Sequence, residues 1–166
     1  MSKNIVIVVS AMNMGGAQRV VSILCNHWSK NDVEVTLIHT YTKQKINHYK
    51  LNKEVKQKYL KKLPLFSKIN FLNMFWKLIQ LRNLIKKSKP DVIISFLTRV
   101  NVATSLATIG IKSPLYICER ISTPFATLSK NFFWFYRILF KRVSKIIVQT
   151  NENKLYLNKN FQDCFV

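Results

Sequence analysis

Acidic side chains are scarce in this sequence: 7 Asp+Glu stand against 27 Lys+Arg in 166 residues, a formal charge of +20. Such an imbalance points to an anionic partner, whether nucleic acid, a phospholipid surface or a phosphorylated small molecule. Glycine (3) and proline (4) are also few, which excludes collagen-like and linker-type low complexity. The cysteines, Cys25, Cys118 and Cys164, are odd in number and form no C-x-x-C pair. They argue against a disulfide framework or a zinc site and read as free thiols in a reducing cytoplasm. His27, His39 and His48 show no i,i+3 or i,i+4 relation, so no metal is expected. No run of 18 apolar residues occurs, and the apolar run after the N-terminus is too short and too β-branched for a signal peptide; a spanning helix is not expected. What is present is a folded domain's balance, 48% hydrophobic against 20% charged. The length suits one domain that buries roughly two-thirds of the unfolded chain's surface.

Continuous β-branched runs mark strands buried on both faces of a parallel sheet. Ile5–Val9 is the first, Val92–Phe96 the second, and Val33–His39, Leu115–Cys118 and Lys145–Val148 are shorter. Between the first two of these in chain order, Ala17–Ser29 places Val20, Val21, Leu24 and Trp28 on one helical face. Strand, loop, helix and strand make a right-handed βαβ unit. Helices are also predicted over Phe66–Lys87, over Asn101–Ile109 with Gly110 as its cap, and over the aromatic stretch Phe132–Val143. Strands alternating with helices predict a doubly wound α/β sheet.

Charge is unevenly distributed. Residues 41–89 hold 14 Lys+Arg and one acid, Glu54, and so supply +13 of the total. Each such side chain near an anionic bilayer is worth ~1 kcal/mol, and several together hold a protein at its surface. Phe71, Phe75 and Trp76 either insert beside them, as in interfacial helices, or belong to the core and leave the lysines to face lipid. The run Phe132–Tyr136 is read as core, with a membrane wedge as the alternative that the neighbouring Arg137, Lys141 and Arg142 keep open.

The loop Ser10–Gly16 follows the first strand and opens the first helix. A helix N-terminus there offers free N–H groups and a partial positive charge suited to phosphate, and two glycines let the backbone approach a ligand. The spacing is neither G-x-G-x-x-G nor a Walker loop. Taken alone, a Gly-Gly pair serves a tight turn equally well.

Four segments in order carry a resemblance. Met14-Gly15-Gly16-Ala17-Gln18-Arg19-Val20-Val21 resembles the G-G-A-E-R-V-V segment of family-4 glycosyltransferases of the GT-B fold, with Gln18 where Glu is commoner. Lys89–Phe96 resembles their "KPDVVISF" strand, and Cys118–Pro124 their "SERN-x-P" loop, with Cys118 for Ser and Ile121 for Asn. Val148-Gln149-Thr150 resembles the "VVQT" strand end.

The resemblance implies one Rossmann-like half of a GT-B fold over residues 1–166, the acceptor-side N-terminal domain, with the C-terminal donor-binding domain absent or supplied as a separate partner. It implies transfer of a sugar from a nucleotide-sugar donor to a lipid-linked or cell-envelope saccharide, at the cytoplasmic face of the membrane, with residues 41–89 against anionic lipid. No cofactor or metal is implied beyond the donor itself. By the same analogy Gly15 and Gly16 face the donor diphosphate, and Glu119 orients an acceptor hydroxyl and Arg120 pairs with phosphate as catalytic residues, the alternative for these two being a surface ion pair between neighbours. Arg99 and Asn101 are placed by position alone, just beyond the Val92–Phe96 strand at a cleft-facing edge, where they either contact the acceptor or are the solvated start of a helix. Two rivals stay open. One is a basic nucleic-acid-binding α/β module, although no RRM, KH or helix-turn-helix signature supports it. The other is a non-catalytic, membrane-associated remnant.

Overall fold

The computed structural model describes residues 3–41, 47–61, 70–119, 138–139, 141 and 143–160. The aromatic run 132–136, Arg120 and Cys164 lie outside them. Among the described residues the elements are, in order, β1 (Asn4–Val9), α1 (Gly16–Lys30), β2 (Glu34–His39), β3 (Lys56–Tyr59), α2 (Asn70–Ser88), β4 (Val92–Phe96), α3 (Thr98–Ala107), β5 (Leu115–Cys118), β6 (Lys145–Ile147) and α4 (Asn151–Asn160).

The six strands form one sheet in the order β3-β2-β1-β4-β5-β6, and every pairing is parallel. That is the order of a Rossmann-like doubly wound sheet, whose direction of winding reverses between β1 and β4. Parallel strands need long crossover connections, and the helical ones cover both faces, whereas β2 and its parallel neighbour β3 follow one another with no helix described between them. The period-2 geometry of β1 divides its side chains accordingly. Val6 and Val8 pack with Ile38, Leu81, Ile85 and Ile93 on the α2/α3 side. Ile7 and Val9 pack with Val21, Cys25, Leu37 and Phe96 on the α1 side. All four β1 residues are essentially inaccessible, as a run without polar alternation requires.

Two elements were not expected from the sequence. β3 reads Lys-Gln-Lys-Tyr, a charged edge strand, which shields the open side of a sheet from further pairing. α4 begins after Thr150, whose Oγ1 accepts the N–H of Asn153 at 3.2 Å. A third difference concerns α3, which starts at Thr98 rather than Asn101 and ends at Ala107. Gly110 is therefore not its cap residue, though it does adopt the left-handed conformation, φ +74°. The end of α3 is instead served by α2: Arg82 Nη1 donates to the carbonyls of Ala107 (2.8 Å) and Ile109 (2.6 Å). This places a cation where the helix dipole favours one.

Helix α2 runs antiparallel to the strands. Its last residue, Ser88, accepts a hydrogen bond from Asn4 at the start of β1, and Lys77, nearer its beginning, reaches Thr40 just past the end of β2. The N-terminal half of α2 therefore lies toward the edge of the sheet where strands end. Among the described residues no helix is long and apolar enough to cross a membrane.

Candidate active site

Open parallel sheets bind ligands beyond the C-terminal ends of their strands, at the point where the winding reverses. Here that point lies between β1 and β4, whose pairing of Val8 with Ser95 brings the loop 10–15 beside Leu97. β4 and β5 pair Phe96 with Cys118, so Glu119 is next along the same edge. The expected site segments 10–16, 97–101 and 118–119 thus share one rim, although up to 109 residues separate them in the chain.

The glycine loop is held in place from a segment the sequence did not single out. Gly15 donates its N–H to Tyr49 Oη at 3.4 Å, and the same hydroxyl donates to the Gly15 carbonyl at 3.1 Å. One residue earlier, the His48 N–H donates to the Met12 carbonyl at 2.8 Å. The strap carrying Tyr49 is itself tied to α1: Asn26 Oδ1 accepts the Asn52 N–H (2.7 Å) while Asn26 Nδ2 donates to the Lys50 carbonyl (2.9 Å). The Gly15 amide is consequently engaged inside the protein. Gly16 differs: it is exposed, and a Cβ built on it meets nothing within 4 Å. Among the described residues no side chain caps α1 with a hydrogen bond and no acidic residue occupies its first turn, so no carboxylate there offsets the partial positive charge of the helix start.

Across the reversal point stands a buried polar cluster. Glu119 is 2% exposed and Asn101 0%. Asn101 Nδ2 donates to Glu119 Oε1 at 2.6 Å and to the Cys118 carbonyl at 3.2 Å, and Asn101 Oδ1 accepts from Ser95 Oγ at 2.7 Å. The other carboxylate oxygen, Oε2, accepts from Thr98 Oγ1 at 2.8 Å. These bonds fasten the first turn of α3 to the end of β5. They also hold Leu97 at φ 77°, a left-handed conformation that costs a branched residue about 1–2 kcal/mol. The backbone at Leu97 is pinned on both sides, by its own N–H to the Cys118 carbonyl (3.2 Å) and by the Asn101 N–H to its carbonyl (2.8 Å).

The expected residues therefore separate by position. Gly16 and Arg99 are exposed at the rim. Asn101 is a correction: a side chain with no accessible surface does not touch an acceptor, and its amide is occupied in holding Glu119. Glu119 sits beneath the rim, with both oxygens already accepting bonds. Arg120 lies outside the described residues. Sequence reading missed Tyr49, Thr98 and Ser95. Ser95 lies within the predicted strand and Thr98 just beyond it, and both were detectable as polar residues in an otherwise apolar stretch.

A third polar group lies at the ends of β2 and β3. Gln57 Oε1 accepts from Asn47 Nδ2 (3.0 Å) and Tyr59 Oη (3.0 Å) and lies 3.1 Å from His39 Nε2. The His39 ring stacks on Tyr59 at 4.4 Å. Burial lowers the His39 pKa, opposed by its bond to Gln57, which favours neutral imidazole. Cys25 is inert for a related reason: burial raises its pKa to about 12, partly offset by a backbone hydrogen bond, and the nucleophilic thiolate is suppressed. A cavity of about 280 Å³ lined by Thr108, Lys112, Ser113 and Ser144 lies at the opposite edge of the sheet, where β5 and β6 begin, away from all of these groups.

Comparison with known proteins bears on the family and the fold. The family model for Glycosyltransferase Family 4 matches residues 14–163. A Campylobacter jejuni protein named GalNAc-alpha-(1->4)-GalNAc-alpha-(1->3)-diNAcBac-PP-undecaprenol alpha-1,4-N-acetyl-D-galactosaminyltransferase is 38% identical over 115 residues, which is 68% of this chain and 31% of that protein. Among solved structures, the lipopolysaccharide outer core galactosyltransferase WaaB superposes with TM-score 0.66 at 14% identity, covering 98% of this chain and 44% of WaaB. Acinetobacter baumannii MurG gives 0.61 at 13% identity, covering 90% and 42%. The UDP-GlcNAc 2-epimerase of Methanocaldococcus jannaschii gives 0.64 at 16%, covering 99% and 45%. These structures share the fold, and the epimerase among them shows that the fold alone does not decide the reaction. The chain spans less than half the length of each. With its family model matched over nearly its full length, the chain belongs to glycosyltransferase family 4.

Proposed function

We propose that this chain is the acceptor-side half of a GT-B glycosyltransferase that moves a sugar from a nucleotide-sugar donor to a hydroxyl of a lipid-linked or cell-envelope saccharide, working at the cytoplasmic face of a membrane. The observation that carries this reading is the shared rim at the β1–β4 reversal, where the loop that opens α1 and the Thr98–Glu119 cluster follow the ends of neighbouring strands. In it, the amides of Gly16 and the residue after it receive the donor diphosphate as negative charge develops on the leaving group, a stabilisation that fixed backbone dipoles supply without reorganising. Gly15 shapes the loop and leaves phosphate contact to its neighbour. Arg99, exposed beside Thr98, meets the acceptor, and Arg120 pairs with phosphate by its place in the family-like loop.

Glu119 has a different part from the one its sequence context suggests. Already accepting from Thr98 and Asn101 and screened from solvent, it acts as a positioning residue: it fixes where α3 begins and so where Arg99 stands. The donor-binding half of the enzyme comes from the rest of the polypeptide or from a separate partner chain.

Helix α2 supports the membrane part of this reading. Leu72 (39%), Phe75 (57%), Trp76 (38%) and Ile79 (38%) are exposed and occupy one ridge at i, i+3, i+4 and i+7 spacing. The ridge continues through exposed Asn83 to Lys86 and Lys87. An apolar stripe ending in cations fits an interfacial helix on anionic lipid. Because the stripe lies in the half of α2 nearer the strand ends, docking there turns the rim toward the bilayer.

The test is transfer. The protein completed by its donor-binding half, given a labelled nucleotide-sugar and vesicles carrying a lipid-diphosphate saccharide, is expected to move label into the lipid phase. Label that remains in the nucleotide pool, with both halves folded and vesicle-bound, overturns the reading.

A further inference from the structure

At the same rim, Tyr41 and Lys77 form a pair outside the glycine loop and the Thr98–Glu119 cluster. The Tyr41 N–H donates to the Ser10 carbonyl at 2.8 Å, which fastens it to the first residue of the glycine loop, while its side chain is 48% exposed. Lys77 reaches over from α2. Its Nζ donates to the Thr40 carbonyl at 3.3 Å and lies 5.9 Å from the centre of the Tyr41 ring. With its stem half-buried, the ammonium is held over the ring instead of sweeping through solvent.

We propose that Tyr41 and Lys77 form a subsite for a phosphorylated saccharide, in which the ring lies against the apolar face of the sugar and the ammonium pairs with phosphate. The inference rests on the acceptor-side reading and deepens it. Lysine binds phosphate as a compact point charge with three donors. An exposed aromatic beside a fixed cation matches a ligand that is apolar on one side and anionic at one end. Placement adds a second argument. Trp76, next to Lys77 in α2, belongs to the exposed apolar stripe, and Ser10, bonded to Tyr41, opens the glycine loop. Passing from stripe to Lys77 to Tyr41 to loop follows the order lipid, phosphate, sugar, reaction centre, which is the order in which a lipid-diphosphate saccharide presents its parts.

The experiment is an NMR titration of this chain with N-acetylhexosamine 1-phosphate, with inorganic phosphate, and with sugar-free anionic vesicles, following the Tyr41 ring, the Lys77 side chain and the Gly15 and Gly16 amides. The hexosamine phosphate is expected to shift Tyr41 and Lys77. Lys77→Gln should weaken it about tenfold, as loss of one charge-assisted hydrogen bond does, while Lys77→Arg retains it. Tyr41→Leu should reduce it to the affinity of inorganic phosphate, and Tyr41→Phe, which keeps the ring, should not. Equal affinity in wild type and Lys77→Gln overturns the subsite, as does a response of Tyr41 and Lys77 to vesicles but not to the sugar phosphate. Shifts confined to Gly15 and Gly16 overturn it too, yet leave the acceptor-side reading standing; silence of every rim residue toward the sugar phosphate counts against both.

Discussion

The Tyr49 hydroxyl brackets the Gly15 peptide, accepting from its N–H at 3.4 Å and donating to its carbonyl at 3.1 Å. A side chain 34 residues away in sequence thereby sets the direction in which the first turn of α1 opens. Tyr49→Phe removes both bonds and nothing else. It is expected to cost about 1 kcal/mol of stability, measured by urea denaturation, and to speed amide exchange at Gly15 and Gly16 well beyond what that global loss explains. Unchanged exchange at these two amides would show that the loop keeps its shape without the clamp.

Gly16 discriminates between a turn glycine and a ligand-facing one. Because a Cβ there meets nothing, Gly16→Ala should fold with unchanged thermal stability. Gly16→Asp should also fold, since a carboxylate in the first turn suits the helix dipole. In the completed enzyme, however, it places negative charge where the donor diphosphate is received. Turnover should fall by two orders of magnitude or more, on the scale of losing electrostatic stabilisation of a leaving group. Wild-type turnover in Gly16→Asp would remove the loop from the site.

The buried cluster makes a prediction about stability. Asn101→Ala strips Glu119 of one donor and Ser95 of its acceptor inside the protein. Leaving a charged group short of a buried partner costs about 3 kcal/mol, against about 1 kcal/mol for Thr98→Val, which removes one peripheral bond. Denaturant midpoints measure both, and a smaller loss for Asn101→Ala than for Thr98→Val would contradict the cluster as described.

Most of the sheet was legible in the sequence because its central strands are buried on both faces, and burial leaves a run such as Ile5–Val9 with no polar alternation to disguise it. β4 and β5 were legible to the residue for the same reason. β3 was not, since an edge strand with Lys56 and Lys58 has the composition of a solvated loop. The start of α3 was obscured by Leu97, a residue that gives no sequence signal for a left-handed backbone, and by Asn101, a polar residue that looks exposed until its partner 18 residues away is known. Of the candidate site residues, Gly15, Gly16 and Glu119 were singled out through flanking motifs and Arg99 by its place after a strand, but neither signal reports which side chains are turned inward, as Glu119 is. The Tyr49 clamp depends on a fold-back of residues 47–53 that no periodicity encodes.

His39 gives the fold a pH dependence. Its folded pKa lies below the unfolded value because burial disfavours the imidazolium, so over the interval between the two the unfolded chain binds more protons. The resulting stability is complete above about pH 6.5, the unfolded value, and is lost as pH falls through the folded pKa. Urea midpoints should therefore decline from pH 7.5 toward pH 5. His39→Phe, which keeps the stack on Tyr59, should flatten that part of the profile. An equally steep decline in His39→Phe would assign the effect to other groups.

The central claim is that a phosphorylated saccharide is received at the strand-end rim of the β1–β4 reversal. Photo-crosslinking tests it most directly, using anionic vesicles that carry a prenyl-diphosphate saccharide with a photoreactive group on its terminal sugar, followed by peptide mapping of the adducts. Labelling should concentrate on residues 10–16 and 97–99, and free saccharide phosphate should compete it away. Adducts gathered instead at residues 108–115, on the opposite edge of the sheet, would contradict the account.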